Sequence, residues 1–172
     1  NDMTLSGRHA GFALDNDGLV QAGGALDVGD ATHRARLNNG VTGTIAAGLD
    51  TLVLESLVNA GILQAGEGLL LTASGDVTNT ASGLVLTRGQ AGAALSIDAD
   101  GALRNHGALQ SDGNLDLTAD GALVNTGTVV TQARADGGAD GDITLHGASI
   151  DNSGAIGAAG KLDMVARATL TN

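Results

Sequence analysis

Eight times along 172 residues an aliphatic side chain is followed, two places later, by Asn. The pairs are Leu14/Asn16, Leu37/Asn39, Leu57/Asn59, Val77/Asn79, Leu103/Asn105, Leu123/Asn125, Ile150/Asn152 and Leu170/Asn172. Successive Asn residues lie 23, 20, 20, 26, 20, 27 and 20 positions apart. A chain that repeats one local unit in tandem must give each copy the same environment, which a stacked solenoid does and a single globular core does not.

Other positions recur in phase with the Asn. A glycine follows, at Gly18, Gly61, Gly107, Gly127 and Gly154 two places on, or at Gly43 and Gly83 four places on. Two residues beyond each comes an aliphatic: Val20, Ile45, Leu63, Val85, Leu109, Val129 and Ile156. A third block then reads Leu69/Leu71, Leu95/Ile97, Leu115/Leu117, Ile143/Leu145 and Leu162/Met164. The clearest copy, from Leu103 to Gly121, puts aliphatics, Asn, Ser and Gly at odd positions, and mainly charged and polar residues at even ones. That alternation marks strands with one buried and one solvated face; no stretch keeps the i, i+3, i+4 stripe of a helix. The pattern predicts an all-β fold, a right-handed parallel β-helix of about eight coils near 20 residues each. Residues 1–172 read as one repeat segment of a longer filament, because the chain opens inside a repeat. Eight coils at the strand spacing of ~4.8 Å make a rod of roughly 38 Å. Each coil buries four or five aliphatics, worth ~1.5–3 kcal/mol apiece before entropy is subtracted.

Composition agrees with a slender interior. The one aromatic residue is Phe12, and Leu, Val, Ile and Ala supply the rest of the apolar side chains apart from two Met. Glycine numbers 28 and proline is absent. A net charge of −11 repels a phosphate backbone, and basic residues are scattered singly, so neither nucleic acid nor anionic lipid is an expected partner. Without Cys there is no disulfide or thiolate metal site. No apolar run approaches the ~18 residues of a membrane span, so no membrane insertion is expected.

The eight Asn residues, Asn16, Asn39, Asn59, Asn79, Asn105, Asn125, Asn152 and Asn172, are read as a corner ladder, each inward amide bonding to backbone and to the Asn of the next coil. Corner glycine is expected to supply positive φ. The longer spacings call for insertions near Gly29–Ala35, Arg88–Gly92 and Gln132–Gly141. Within the last, Asp136, Asp140 and Asp142 on a glycine-rich loop suggest a hard cation, but the glycine spacing departs from the calcium nonapeptide, and a solvated loop is the reading preferred. Asp15-Asn16-Asp17 is a weaker candidate of the same kind. His9, His33, His106 and His146 fall in different repeat phases and predict no metal or catalytic cluster. No nucleophile-elbow Gly-x-Ser-x-Gly or Walker loop is present, and exposed Thr residues form no regular ice-binding array. No catalytic residue, metal or cofactor is assigned.

The units Gly101-Ala102-Leu103-Arg104-Asn105-His106-Gly107-Ala108-Leu109-Gln110-Ser111, Gly121-Ala122-Leu123-Val124-Asn125-Thr126-Gly127 and Ala148-Ser149-Ile150-Asp151-Asn152-Ser153-Gly154-Ala155-Ile156 resemble the repeats of the filamentous haemagglutinin family. The resemblance covers essentially the whole chain. Such repeats occur in the two-partner-secretion exoproteins of Gram-negative bacteria, both adhesins and contact-dependent growth inhibition proteins. It implies a β-helical shaft passed through an outer-membrane transporter, then secreted or displayed at the cell surface to mediate attachment to a receptor the sequence does not identify. Some family adhesins carry Arg-Gly-Asp; here Arg134-Ala135-Asp136 lacks the glycine. The alternatives are the stalk of a growth-inhibition toxin-delivery protein, a polysaccharide-acting β-helix enzyme, for which clustered carboxylates and aromatic platforms are wanting, and a calcium-stabilised module. Unpaired strand edges at both ends predict end-to-end self-association or fraying of the isolated segment.

Overall fold

The computed structural model describes residues 1–89, 93–133 and 140–172. Among these there is no helix; the chain is a β-solenoid whose neighbouring strands all run parallel. Three columns of strands make its walls. The first holds β2 (Phe12–Asn16), β5 (Ala35–Asn39), the end of β6 (Thr44–Asn59), β8 (Val77–Asn79), β11 (Leu103–Asn105), β14 (Ala122–Asn125) and the ends of β16 (Ile143–Asn152) and β18 (Leu162–Thr171). The second holds β3 (Leu19–Gln21), the start of β6, the start of β7 (Ile62–Ala73), β9 (Leu84–Thr87), β12 (Ala108–Ser111), β15 (Thr128–Thr131) and β17 (Ala155–Gly157). The third holds β1 (Met3–Leu5), β4 (Ala25–Val28), the middle of β6, the rest of β7, β10 (Ala94–Ala99), β13 (Leu115–Ala119) and the starts of β16 and β18.

Repeat positions become register partners. Leu103 pairs with Val77 on one side and Leu123 on the other, and Leu123 pairs with Ile150. Val20, Ile45, Leu63, Val85, Leu109, Val129 and Ile156 form one unbroken file. The eight Asn markers bound about seven turns. Inward aliphatics from all three columns join in one core, with Ile45, Leu52, Leu63, Leu95, Leu115, Val129 and Leu145 fully enclosed. Stacking is what encloses them: one coil is too thin to hide its own apolar edge, and its neighbours close it on both sides while satisfying its backbone groups.

The longer spacings fall between strands, after Val28, after Thr87 and after Thr131, so they leave the register of the next strand intact. Two of these segments run into residues outside the described set, 90–92 and 134–139, and with them lie Arg134-Ala135-Asp136 and most of the acidic loop.

The corner glycines need a different explanation from the one expected. Among the described residues positive φ occurs at Gly11 and Gly29, not at the glycines that follow the Asn residues. Except at Gly18 in the first coil, where an added Cβ would meet nothing, what demands glycine there is proximity between rungs. A Cβ at Gly107 would overlap the Gly83 carbonyl oxygen, one at Gly127 the Gly107 oxygen, and one at Gly154 the Gly127 oxygen. The sharp bend is made with ordinary φ, and the missing side chain lets consecutive bends nest.

Candidate functional site

A file of side-chain amides runs the length of the solenoid. Asn16 Nδ2 donates to Asn39 Oδ1 at 2.9 Å, Asn39 to Asn59 at 2.8 Å, and Asn59 to Asn79 at 2.8 Å. The file continues from Asn79 to Asn105 at 2.9 Å, to Asn125 at 2.7 Å, to Asn152 at 2.7 Å and to Asn172 at 2.6 Å. Backbone carbonyls fix its direction. Nδ2 of Asn39 also donates to the Gly43 and Ile62 oxygens, and Nδ2 of Asn79 to those of Gly83 and Ala108. A carbonyl only accepts, so each amide nitrogen must lie on that side, and every amide dipole points the same way along the axis. All but Asn172 are buried, so the file offers no groove to a ligand.

A second polar file occupies the next corner over part of the length. Thr87 and Ser111 hydroxyls lie 3.0 Å apart and both donate to the Ala93 carbonyl, at 2.7 and 2.9 Å. Thr131, next in register, donates to the Gly141 carbonyl at 2.7 Å and accepts from the Ala159 amide at 3.0 Å. In the other coils Ala47 and Ala65 hold this position.

One inward position breaks the aliphatic rule. Down the third column the register runs Met3, Leu26, Asp50, Leu69, Leu95, Leu115, Ile143, Leu162. Asp50 is 0% exposed, and neither carboxylate oxygen has a hydrogen-bond partner. Desolvation between Leu26 and Leu69 pushes its carboxyl up to about 7. The cause is a shortened corner. Three residues separate Gln21 from Ala25, and three separate Gln64 from Gly68, but their partners Ala46 and Leu49 have only two between them. Losing one residue inverts inside and outside, so Leu49 is 43% exposed while Asp50 takes the leucine's place. Sequence reading missed this residue; the signal was the five-residue interval from Ile45 to Asp50, against six from Leu109 to Leu115.

The remaining candidates are scattered over the surface. His9 precedes β2, His33 lies between β4 and β5, His106 follows β11 and His146 sits in β16. His106 Nδ1 is 2.7 Å from Thr126 Oγ1. Asp30 is held well below the ordinary carboxylate range by the Thr32 hydroxyl first, then by the Thr32 and His33 amides and the His33 ring. Asp15 accepts from Asn38, while Asp142 accepts from the Lys161 amide at 2.7 Å. A shallow groove near the last rungs has Thr118, Asp120, His146 and Arg167 on its walls, and there Arg167 is spent on the Asp120 carboxylate and carbonyl. Among the described residues no three His, Asp or Glu side chains gather as metal ligands.

Over 133 residues the chain is 35% identical to a protein named deoxyribonuclease CdiA from Dickeya dadantii (strain 3937). The match takes in 60% of this chain, but this chain spans only 4% of that relative's length. No family model matches the sequence. No solved structure matches it either.

Proposed function

We propose that this chain is a stretch of shaft in a contact-dependent growth inhibition protein exported by two-partner secretion, and that its work is length and stiffness. The observation that carries this reading is the continuous amide file, which ties every rung to the next through buried, aligned hydrogen bonds. A stack in which each rung is bonded above and below by backbone and by side chain resists bending along its whole length. The similarity to a much longer CdiA protein supports the class of parent molecule. The nuclease activity in that relative's name is taken to reside outside the matched stretch, which is short beside the whole and here gathers no three metal-ligating side chains among the described residues.

On this reading the segment passes an outer-membrane transporter, coils up outside the cell and presents distal domains at the bacterial surface, with attachment to a receptor as a further role. The eight asparagines serve as its structural corner ladder, and residues 1–172 as one repeat segment of a longer filament. The test is a phase experiment in the full-length parent. Deleting residues 106–125 removes one complete coil and should leave growth inhibition of target cells intact. Deleting residues 106–115 breaks register and should abolish it. Equal activity of both deletions would sink the shaft reading. Formation of products from DNA or acidic polysaccharide by the purified segment would restore an enzymatic one.

A further inference from the structure

Asp50 sits in a segment marked off at both ends. Before it, the shortened corner at Gly48 shifts the register with β7 between Ala47 and Leu49. After it, Leu54 and Ser56 pair with the adjacent Ala35 and Arg36, so Glu55 stands outside the ladder with β5. Residues 49–54 thus run between two irregularities, and pairing there does not continue in step into the flanking strand. The inward face presents Asp50, Leu52 and Leu54, and the outward face Leu49, Thr51 and Val53.

The electrostatic surroundings offer the carboxylate no relief. On β4, Asp27 alternates outward between the enclosed Leu26 and Val28; on β7, Glu67 is exposed; on β6, Glu55 faces Arg36 at 3.7 Å. Asp50 is the one ionisable residue among the described buried residues. An uncompensated charge in such a place costs far more than a neutral acid, so the closed rung and the ionised carboxylate compete.

We propose that residues 49–54 form a pH-gated joint in the solenoid: the rung is closed while the Asp50 carboxyl keeps its proton, and opens, releasing its pairing to β4 and β7, when that proton passes to solvent. Opening leaves the solenoid hinged between the rungs of Leu26 and Leu69, with rungs on either side intact. A molecule built this way is stiff in mildly acidic surroundings and articulated in alkaline ones. The inference rests on the packing of the coil and not on the shaft reading, so either can fail alone.

Hydrogen exchange of the purified chain, corrected for intrinsic rates, tests it. Between about pH 5 and about pH 8.5, protection at Leu52, Leu54, Val28 and Leu71 should fall by roughly tenfold or more, while Leu117 and Leu145 keep theirs. Asp50→Leu should erase the difference. Asp50→Asn, which keeps the shape but cannot ionise, should erase it too and serves if the leucine variant does not fold. A carboxyl-carbon NMR titration of the wild type reads the group directly, with a midpoint near 7 expected. An ordinary midpoint near 4, unchanged protection in the wild type, a pH effect surviving in Asp50→Asn, or protection lost equally in every rung would each overturn the proposal.

Discussion

The coil from Asn105 to Asn125 and the coil from Asn39 to Asn59 are both 20 residues long, yet they are built differently. In the first, Asn, Gly, Leu, Ser, Gly, Leu and Leu alternate inward without interruption through Leu117, and each neighbour is in step. In the second the glycine comes two residues later, one residue is missing from the next corner, and another from the corner after Leu54. The total is restored and the ladder Asn returns on time, but the third strand is out of phase by one. A solenoid therefore enforces the repeat at its ladder and tolerates errors between ladder positions. The cost of the error is a buried carboxylate.

Transplanting the fault is the most drastic way to break the comparison. Leu115→Asp puts the same group into the same column of the regular coil, and should destabilise the protein by about 5 kcal/mol or more at pH 8, with partial recovery in acid. Denaturant unfolding at both pH values measures it. Repairing the fault is the converse. Because burial raises the Asp50 carboxyl to about 7, the native state holds a proton that the unfolded chain releases near 4. Stability contributed by this group is thus fully present below about pH 4, declines as pH rises towards 7, and is gone above it, a difference on the order of 4 kcal/mol. Asp50→Leu should raise stability most at pH 8, with the gain shrinking as pH falls; a gain independent of pH would contradict the assignment.

Smaller effects sharpen the contrast between interior and surface. Asn105→Ala removes an acceptor from Asn79 and a donor from Asn125 while leaving both buried, and should cost about 2–3 kcal/mol, read by thermal melts. Arg104→Ala should cost less than about 0.5 kcal/mol, since the pair with Asp76 is largely exposed. The Asp76 carboxyl is held low chiefly by the Ala102 amide and only then by Arg104, so the variant leaves its main support in place.

How much of this was legible in the sequence follows from where phase is visible. The aliphatic files through Val20 and through Leu103 recur beside conspicuous Asn and Gly markers, so strand content, stacking and register partners could be read from spacing alone. The direction in which each amide donates could not, because it depends on which backbone carbonyls close on Nδ2. The reason for corner glycine was misread as backbone conformation, since contact between Gly107 and Gly83 exists only once rungs are stacked. Asp50 was missed for a related reason, its five-residue step from Ile45 being legible as a short corner only once Asp50 is known to point inward. In isolation Gly48-Leu49-Asp50-Thr51-Leu52 reads equally well with Leu49 inward, and only pairing to Leu26 and Leu69 decides.

Register between rungs is the quantity on which the whole account depends, and a chain without cysteine allows it to be measured cleanly. Arg104 and Val124 are outward partners on adjacent rungs. The double variant Arg104→Cys/Val124→Cys should oxidise readily to an intramolecular disulfide in the folded protein, and Arg104→Cys/Asp116→Cys, which places the second thiol in another column, should not. Rapid cross-linking of the second pair and none of the first would contradict the stacked-rung fold.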